Sequence, residues 1–401
     1  MGITKRLLER GVHMSAYRYY VCAYCFADSG IRDFIKGEVK SNTCDFCGCD
    51  SDEQIAAPLE EVRLHIRDSL LNEYDLAANK LPYEGKEGGY IGDTWQTEEI
   101  LLMEELELPN DSNGKLMDAI VNGLDDELWC QKHPFSLPDD KLLEFSWDSF
   151  CQLIKTRRRF FFLHEEYGDS ELYSPLALLK SLTRWCEEFD LVKTFFAGHK
   201  FYRARCQKEG VVLSTAADFG PPPAEKATMP NRMSPPGIVM FYVGDTPATA
   251  LKETAMPGKS YAIGEFEILR DITILNFVDM PPVPSIFEVI PDSLEYNPRP
   301  PAKFLHHFAE ELSKPIAGGD DAGIEYVPTQ IITEYFRSEF TYQGEKIDGI
   351  QYYSARHPGH CALVLFADQM DLVCERQNKN QTNPAMGSAP WIKLVNHWTC
   401  K

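Results

Sequence analysis

Residues 231–254 read NRMSPPGIVMFYVGDTPATALKET. A Pro- and Gly-rich turn opens this stretch, an apolar run of β character (GIVMFYVG) follows, and a helical segment starts near Pro247. The same texture extends outward. FYRARC (201–206), VVLST (211–215), YAIGEFEI (261–268), ITILNF (272–277) and CALVLFA (361–367) are short β-rich runs. Helices are expected between them at TPATALKETAM (246–256), AKFLHHFAEELSK (302–314) and VPTQIITEYFRSEF (327–340). PPPAEKATMPNRMSPPG and VDMPPVPS read as loops. The order is an α+β pattern rather than a regular βαβ alternation.

Upstream the period changes. Leu59, Val62, Ile66 and Leu70 recur at three- and four-residue spacing behind Pro58, which suits a helix start. TEEILLMEELELP, GKLMDAIVNGLDDELWC and SWDSFCQLIKTRRRFFFLHEEYG are further helix candidates. SPLALLKSLTRWCEEFDL is another, with Ser174 as N-cap and Pro175 at the first helical position. Residues 51–195 are therefore expected to be mostly helical, with a Gly-rich loop at YEGKEGGYIGDTW.

At 401 residues the chain is long enough for two or three domains. The N-terminus lacks an apolar signal core, and no apolar run reaches transmembrane length, so a cytoplasmic, membrane-free protein is expected. A net charge of −21 argues against general nucleic-acid binding and favours a basic protein partner. Twelve cysteines in such a setting read as metal ligands where they pair closely and as core residues elsewhere. Cys22-x2-Cys25 and Cys44-x2-Cys47 lie within the spacing of a structural Zn²⁺ site, with Cys49 a competing ligand for Cys44 or Cys47.

The C-terminal half resembles the RES-domain family, whose characterised members degrade NAD⁺ by phosphorolysis or hydrolysis and often act as bacterial toxins. The resemblance rests on Phe201-Tyr202-Arg203-Ala204-Arg205, on Asn231-Arg232-Met233-Ser234-Pro235-Pro236-Gly237, on Tyr242 through Glu253, and on Asp348 through Ser354. Thr329-Gln330 matches a short polar pair of the family, while Asn231 and Ser234 depart from its usual Gly and Asn. The resemblance implies a catalytic set of Glu253, Arg203, Tyr242 and Ser354, with NAD⁺ bound by Arg203, Arg232, Tyr242 and Ser354. Inorganic phosphate is a candidate co-substrate. Arg159 and His164 resemble the Rx4H motif of HEPN domains, helical bundles that often cut RNA; the motif is placed late in the helix starting near Ser146.

The chemistry agrees with these residue types. Breaking the nicotinamide–ribose bond builds positive charge on the ribose, which a carboxylate stabilises. Guanidinium groups suit the pyrophosphate, and Arg205 and Arg356 are alternatives for that role. Tyr242 suits stacking on nicotinamide or ribose, and Ser354 a hydrogen bond to ribose or the nicotinamide amide.

The expected fold is multidomain. It comprises an N-terminal tail (1–20), a zinc ribbon (21–50), a HEPN-like α-helical bundle (51–195), an α+β RES domain resembling the ADP-ribosyltransferase core (196–375) and a polar tail (376–401). An antitoxin or other regulatory protein is the expected partner, homo-oligomers are compatible with the sequence, and RNA is a candidate partner only at the HEPN-like region. Competing expectations are an ADP-ribosyltransferase acting on a macromolecule, a HEPN-type RNase with an NAD-sensing RES half, and a non-enzymatic zinc-ribbon interaction module.

Overall fold

The structure is a computed structural model that describes residues 19–86, 88–124, 128–162, 171–290, 294, 296–314, 322–373 and 389–400. The chain divides into two compact units, one made of residues 1–141 and 283–300, the other of 142–282 and 301–401. Among the described residues no helix is long and apolar enough to cross a membrane.

In the first unit the expected helices form at Leu59–Leu70, Thr97–Met103 and Lys115–Val121. Pro58 caps the first of these, and Leu59, Val62, Ile66 and Leu70 face a core shared with Val21, Ile31, Trp129 and Phe287. Two sequence expectations are corrected here. The two CxxC pairs do not flank a ribbon hairpin, because Asp28 caps a helix at Ser29–Gly37 between them. The segment 114–130 is not one helix, because Trp129–Gln131 pairs as a strand with Tyr74–Leu76. The Gly-rich loop at 83–95 contains a small hairpin, Tyr83–Glu84 with Gly89–Tyr90.

Residues 283–300 complete this unit. Ser285 Oγ donates to Asp28, and His65 Nε2 lies 2.7 Å from the Phe287 carbonyl. A Cβ on Gly30 would stand 2.6 Å from the Phe287–Glu288 backbone, so glycine is required at this approach. Arg299 bridges Glu73 at 2.8 Å and Glu104 at 2.7 Å, and Tyr74 Oη donates to Glu104 at 2.6 Å. Arg299 is only 15% exposed, so removing it strands two shielded carboxylates. Arg299→Met is expected to cost about 2 kcal/mol, read as a shift in the urea midpoint of this unit's transition.

The second unit is built on one eight-stranded mixed sheet. Its strands are β1 (Val192–Phe195), β2 (Lys200–Gln207), β3 (Phe241–Gly244), β4 (Ser260–Ile268), β5 (Ile272–Asn276), β6 (Gly349–Tyr353), β7 (Cys361–Leu365) and β8 (Ile392–Cys400). Across the sheet the order is β8-β4-β2-β3-β7-β6-β5-β1. Only β5 and β6 run parallel. One face packs Phe201, Phe241, Phe266, Ile274 and Leu365. The helix Pro247–Thr254 packs on the other face through Ala250 against Ala204 and Ile263.

Five expectations are corrected in this unit. Residues 211–215 form no strand, and in 237–244 only Phe241–Gly244 pairs, since Pro235 and Pro236 remove donors and Gly237 turns at φ +88°. Residues 192–195, read as the end of the helical region, are strand β1. Residues 392–400, read within a polar tail, form β8 and pair with β4 along its whole length. The helix read from Ser146 to 168 spans Asp139–Thr156 instead. It ends where the N–H groups of Arg157 and Arg158 both turn back to the Leu153 carbonyl, each at 2.9 Å. The helix Pro175–Glu188 forms as read, with Ser174 Oγ accepting from Ala177 N.

Candidate functional site

The central sheet is nearly split between β2 and β3. These neighbours pair at one position, Tyr202 with Gly244, and then part. Side chains from both strands line the resulting cleft of about 400 Å³. From β2 come Arg203 and Arg205, from β3 Tyr242, from the preceding loop Asn231 and Arg232, and from the helix on β3 Glu253. Tyr326, Tyr352 and Arg356 complete the wall. Gly244 allows this construction: a Cβ there would lie 2.7 Å from Ala250 N, so any side chain would push the Glu253 helix off the sheet.

Glu253 is presented by local chemistry. Thr246 Oγ1 caps its helix by accepting from Thr249 N, and Pro247 fixes the first turn. The buried Ser354 hydroxyl donates to Glu253 Oε1. Ser354 Oγ in turn accepts from His357 N at 2.9 Å and from Arg356 N at 3.3 Å. The hydroxyl's only proton is thus committed to the carboxylate, and its lone pairs to the backbone. Ser354 is not part of the cleft lining; it holds Glu253 from behind. The second oxygen of Glu253 makes no hydrogen bond among the described residues.

The cations of the cleft outnumber its acids. Arg203, Arg205, Arg232 and Arg356 share it with one carboxylate, Glu253, although the chain as a whole carries −21. Burial, with Arg205 nearby, holds Arg203 well below the usual guanidinium range, and its Nη1 is buried without a hydrogen-bond partner among the described residues. Such an orphaned donor is expensive unless a ligand fills it. Arg203 also lies over the Phe241 ring, at 5.2 Å. Arg205 is lowered by burial too, and its Nη2 donates to the Gly220 carbonyl. Tyr242 Oη lies 2.9 Å from Ser234 Oγ and accepts from Met233 N at 3.3 Å. Burial pushes this phenol up to about 12, so it stays neutral.

The Arg232 loop is held from the helix Val327–Ser338. Thr329 Oγ1 donates to the Arg232 carbonyl, and Gln330 Nε2 donates to the Asn231 carbonyl at 2.8 Å. Arg232 lies 5.9 Å from the centre of the Tyr326 ring. Thr249 Oγ1 lies 2.9 Å from His357 Nδ1, and neither this contact nor Tyr326 is singled out by the sequence. The only signal for Tyr326 was its place three residues before Thr329.

A second cluster lies in the first unit. The sulfurs of Cys22, Cys25, Cys44 and Cys47 fall within 4.8 Å of one another. Cys22–Cys25, Cys25–Cys44 and Cys22–Cys47 are separated by 3.9, 3.7 and 3.5 Å. A tetrahedron with Zn–S bonds of about 2.3 Å has edges of about 3.8 Å, so these four sulfurs could bind zinc. Cys44 is drawn down to about 4, first by the Cys25 thiol and then by the N–H groups of Cys47, Phe46 and Cys22. Burial raises Cys22 to about 12. Four sulfurs packed this closely, three of them buried, form a donor set that a thiolate-binding cation can hold together. Cys49 is exposed and lies outside this group.

Arg159 is exposed in the bend after the helix end, so its expected place within that helix is not met. His164 lies outside the described residues.

Comparison with protein families returns two matches, to the family described as HEPN/RES N-terminal domain 1 over residues 37–167 and to the RES domain over residues 200–384. No curated protein and no solved structure matches the chain.

Proposed function

We infer the function from the premise that the chain belongs to the RES-domain family, with HEPN/RES N-terminal domain 1 ahead of the RES domain. The reaction proposed is cleavage of NAD⁺ at its nicotinamide–ribose bond. One observation carries it: a Ser-held carboxylate shares an arginine-rich cleft with Arg203, whose buried Nη1 has no hydrogen-bond partner among the described residues.

The bond from the anomeric carbon of the nicotinamide ribose (C1′ of that riboside, C1″ of the ADP-ribose product) to nitrogen breaks with its electron pair moving to the nicotinamidium ring, which departs neutral. No general acid is needed. Glu253 stabilises the positive charge that grows on the ribose. Arg203 and Arg232 bind the pyrophosphate, and Tyr242, kept neutral by burial, offers its ring to ribose or nicotinamide. Water or inorganic phosphate then forms the new C1′–O bond. When water attacks, its proton passes to Glu253 and on to solvent. A split sheet with the carboxylate on a flanking helix is compatible with an ADP-ribosyltransferase-like core. In a cell the reaction depletes NAD⁺, as a toxin or defence effector does, and a protein partner restrains it.

Arg203→Met should raise KM for NAD⁺ at least about tenfold, since a guanidinium–phosphate contact is charge-assisted; an unchanged KM removes Arg203 from the binding role. Identification of products by mass tests the reaction class. Nicotinamide with free ADP-ribose, or with ADP-ribose-1″-phosphate when phosphate is supplied, supports the proposal. ADP-ribose found covalently on a polypeptide replaces it with a transferase.

A further inference from the structure

Glu253 depends on Ser354, and Ser354 sits at the head of a turn running from Ser354 to Cys361. This turn is tied at three points to residues 245–254, the Glu253 helix and the two residues that lead into it. The first is the Ser354–Glu253 bond itself. The second is at the far end of the turn, where Cys361 N donates to Asp245 Oδ2 at 3.1 Å and Asp245 N donates to the Cys361 carbonyl at 3.1 Å. The third is in the middle, where His357 Nδ1 lies 2.9 Å from Thr249 Oγ1.

The middle tie has a particular consequence. Thr249 is fully buried, and its hydroxyl is bonded both to His357 and, at 2.7 Å, to the capping hydroxyl of Thr246. The two hydroxyls and the imidazole therefore form one chain from the start of the Glu253 helix to the turn. His357 also supplies, through its own backbone N–H, the shorter of the two bonds received by Ser354 Oγ. His360 stacks on the same imidazole at 3.8 Å, and its carbonyl accepts from Ser354 N at 2.9 Å. One residue thus fixes the height of the turn on the helix and orients the hydroxyl that grips the carboxylate.

We propose that His357 is a positioning residue of the cleft, acting through Thr249 and Ser354 to hold Glu253 in its working orientation. It is not among the residues that line the cleft and takes no part in bond making. The catalytic consequence rests on the proposed NAD⁺ cleavage; the clamp itself does not.

Three substitutions in the full-length chain, two of them also combined, test this. His357→Asn keeps a polar atom near the place of Nδ1, His357→Ala removes it, and Thr249→Val removes the partner hydroxyl at nearly constant shape. Two readouts are taken: kcat and KM for NAD⁺ loss, and amide hydrogen exchange at Ser354–Cys361. His357→Ala should lower kcat by roughly 10- to 100-fold at nearly constant KM, the effect of a displaced reacting group. His357→Asn should stay within about threefold of the native chain, and Thr249→Val combined with His357→Ala should be no worse than His357→Ala alone, as for two partners of one bond. Exchange at Arg356 and His357 should rise in His357→Ala and remain native-like in His357→Asn. An unaltered kcat in His357→Ala, an equal loss in His357→Asn, or unaltered exchange in His357→Ala overturns the proposal. If the native chain leaves NAD⁺ intact, the proposed reaction fails, and exchange alone then judges the clamp.

Discussion

Glu253→Gln lowers the rate of NAD⁺ cleavage by at least about 100-fold while leaving the melting temperature within a few degrees of the native chain. The substitution keeps the shape of the side chain and keeps an oxygen that can accept from Ser354. What it removes is the negative charge beside the ribose. The native carboxylate has one oxygen engaged by Ser354 and the other without a partner among the described residues, so loss of charge rather than loss of packing dominates. KM should change little, because the pyrophosphate contacts belong to the arginines. Steady-state kinetics of nicotinamide release, paired with a thermal melt, measure this. A variant that retains more than about a tenth of the native rate would remove Glu253 from the chemistry.

The second large effect concerns the four cysteines. Cys44→Ser should abolish metal binding and melt the first unit. Apparent free energies of structural zinc sites, about 10–16 kcal/mol, match or exceed the whole stability of a typical domain. Cys22, Cys25 and Cys44 are buried in the same core as Val21, Ile31 and Phe287, so the site cannot open without exposing that core. Native mass spectrometry should find one zinc per chain, lost in Cys44→Ser or with a strong chelator, and near-UV circular dichroism should fall with it. Cys49→Ser serves as the control and should keep its metal, because Cys49 is exposed and outside the cluster. Metal-free protein with an undiminished cooperative melt would contradict the structural role.

What the sequence made legible was local or motif-like. Ser174 and Pro175 announce a helix because capping acts over four residues, and the cysteine quartet announces itself by spacing. Arg203, Arg232, Tyr242 and Glu253, far apart in the chain, line one cleft because β2, β3 and the helix after β3 are neighbours in space. What stayed hidden depended on distant partners. VDMPPVPS reads as a loop, and nothing local shows that residues 283–300 fill the first unit through Phe287 and Arg299. Strand β8 carries polar residues without a period of two, Lys393, Asn396, His397 and Thr399, because its register shifts between Leu394 and Asn396, and only pairing with β4 reveals it. The RRRFFF run prolongs an apparent helix in the sequence, but the helix stops at Thr156. The resemblance makes Ser354 a catalytic and substrate-binding residue; the structure adds that its hydroxyl is bonded to Glu253, a contact that spacing of 101 residues cannot disclose. His357 was passed over for the same reason: its partner Thr249 is 108 residues away.

The most direct test of the account is incubation of the purified full-length chain with NAD⁺, with nicotinamide and remaining NAD⁺ quantified by mass over time and Glu253→Gln run beside it. One nicotinamide should form for each NAD⁺ lost in the native chain, and almost none in the variant. NAD⁺ left intact by folded native protein, both with and without phosphate, would contradict it.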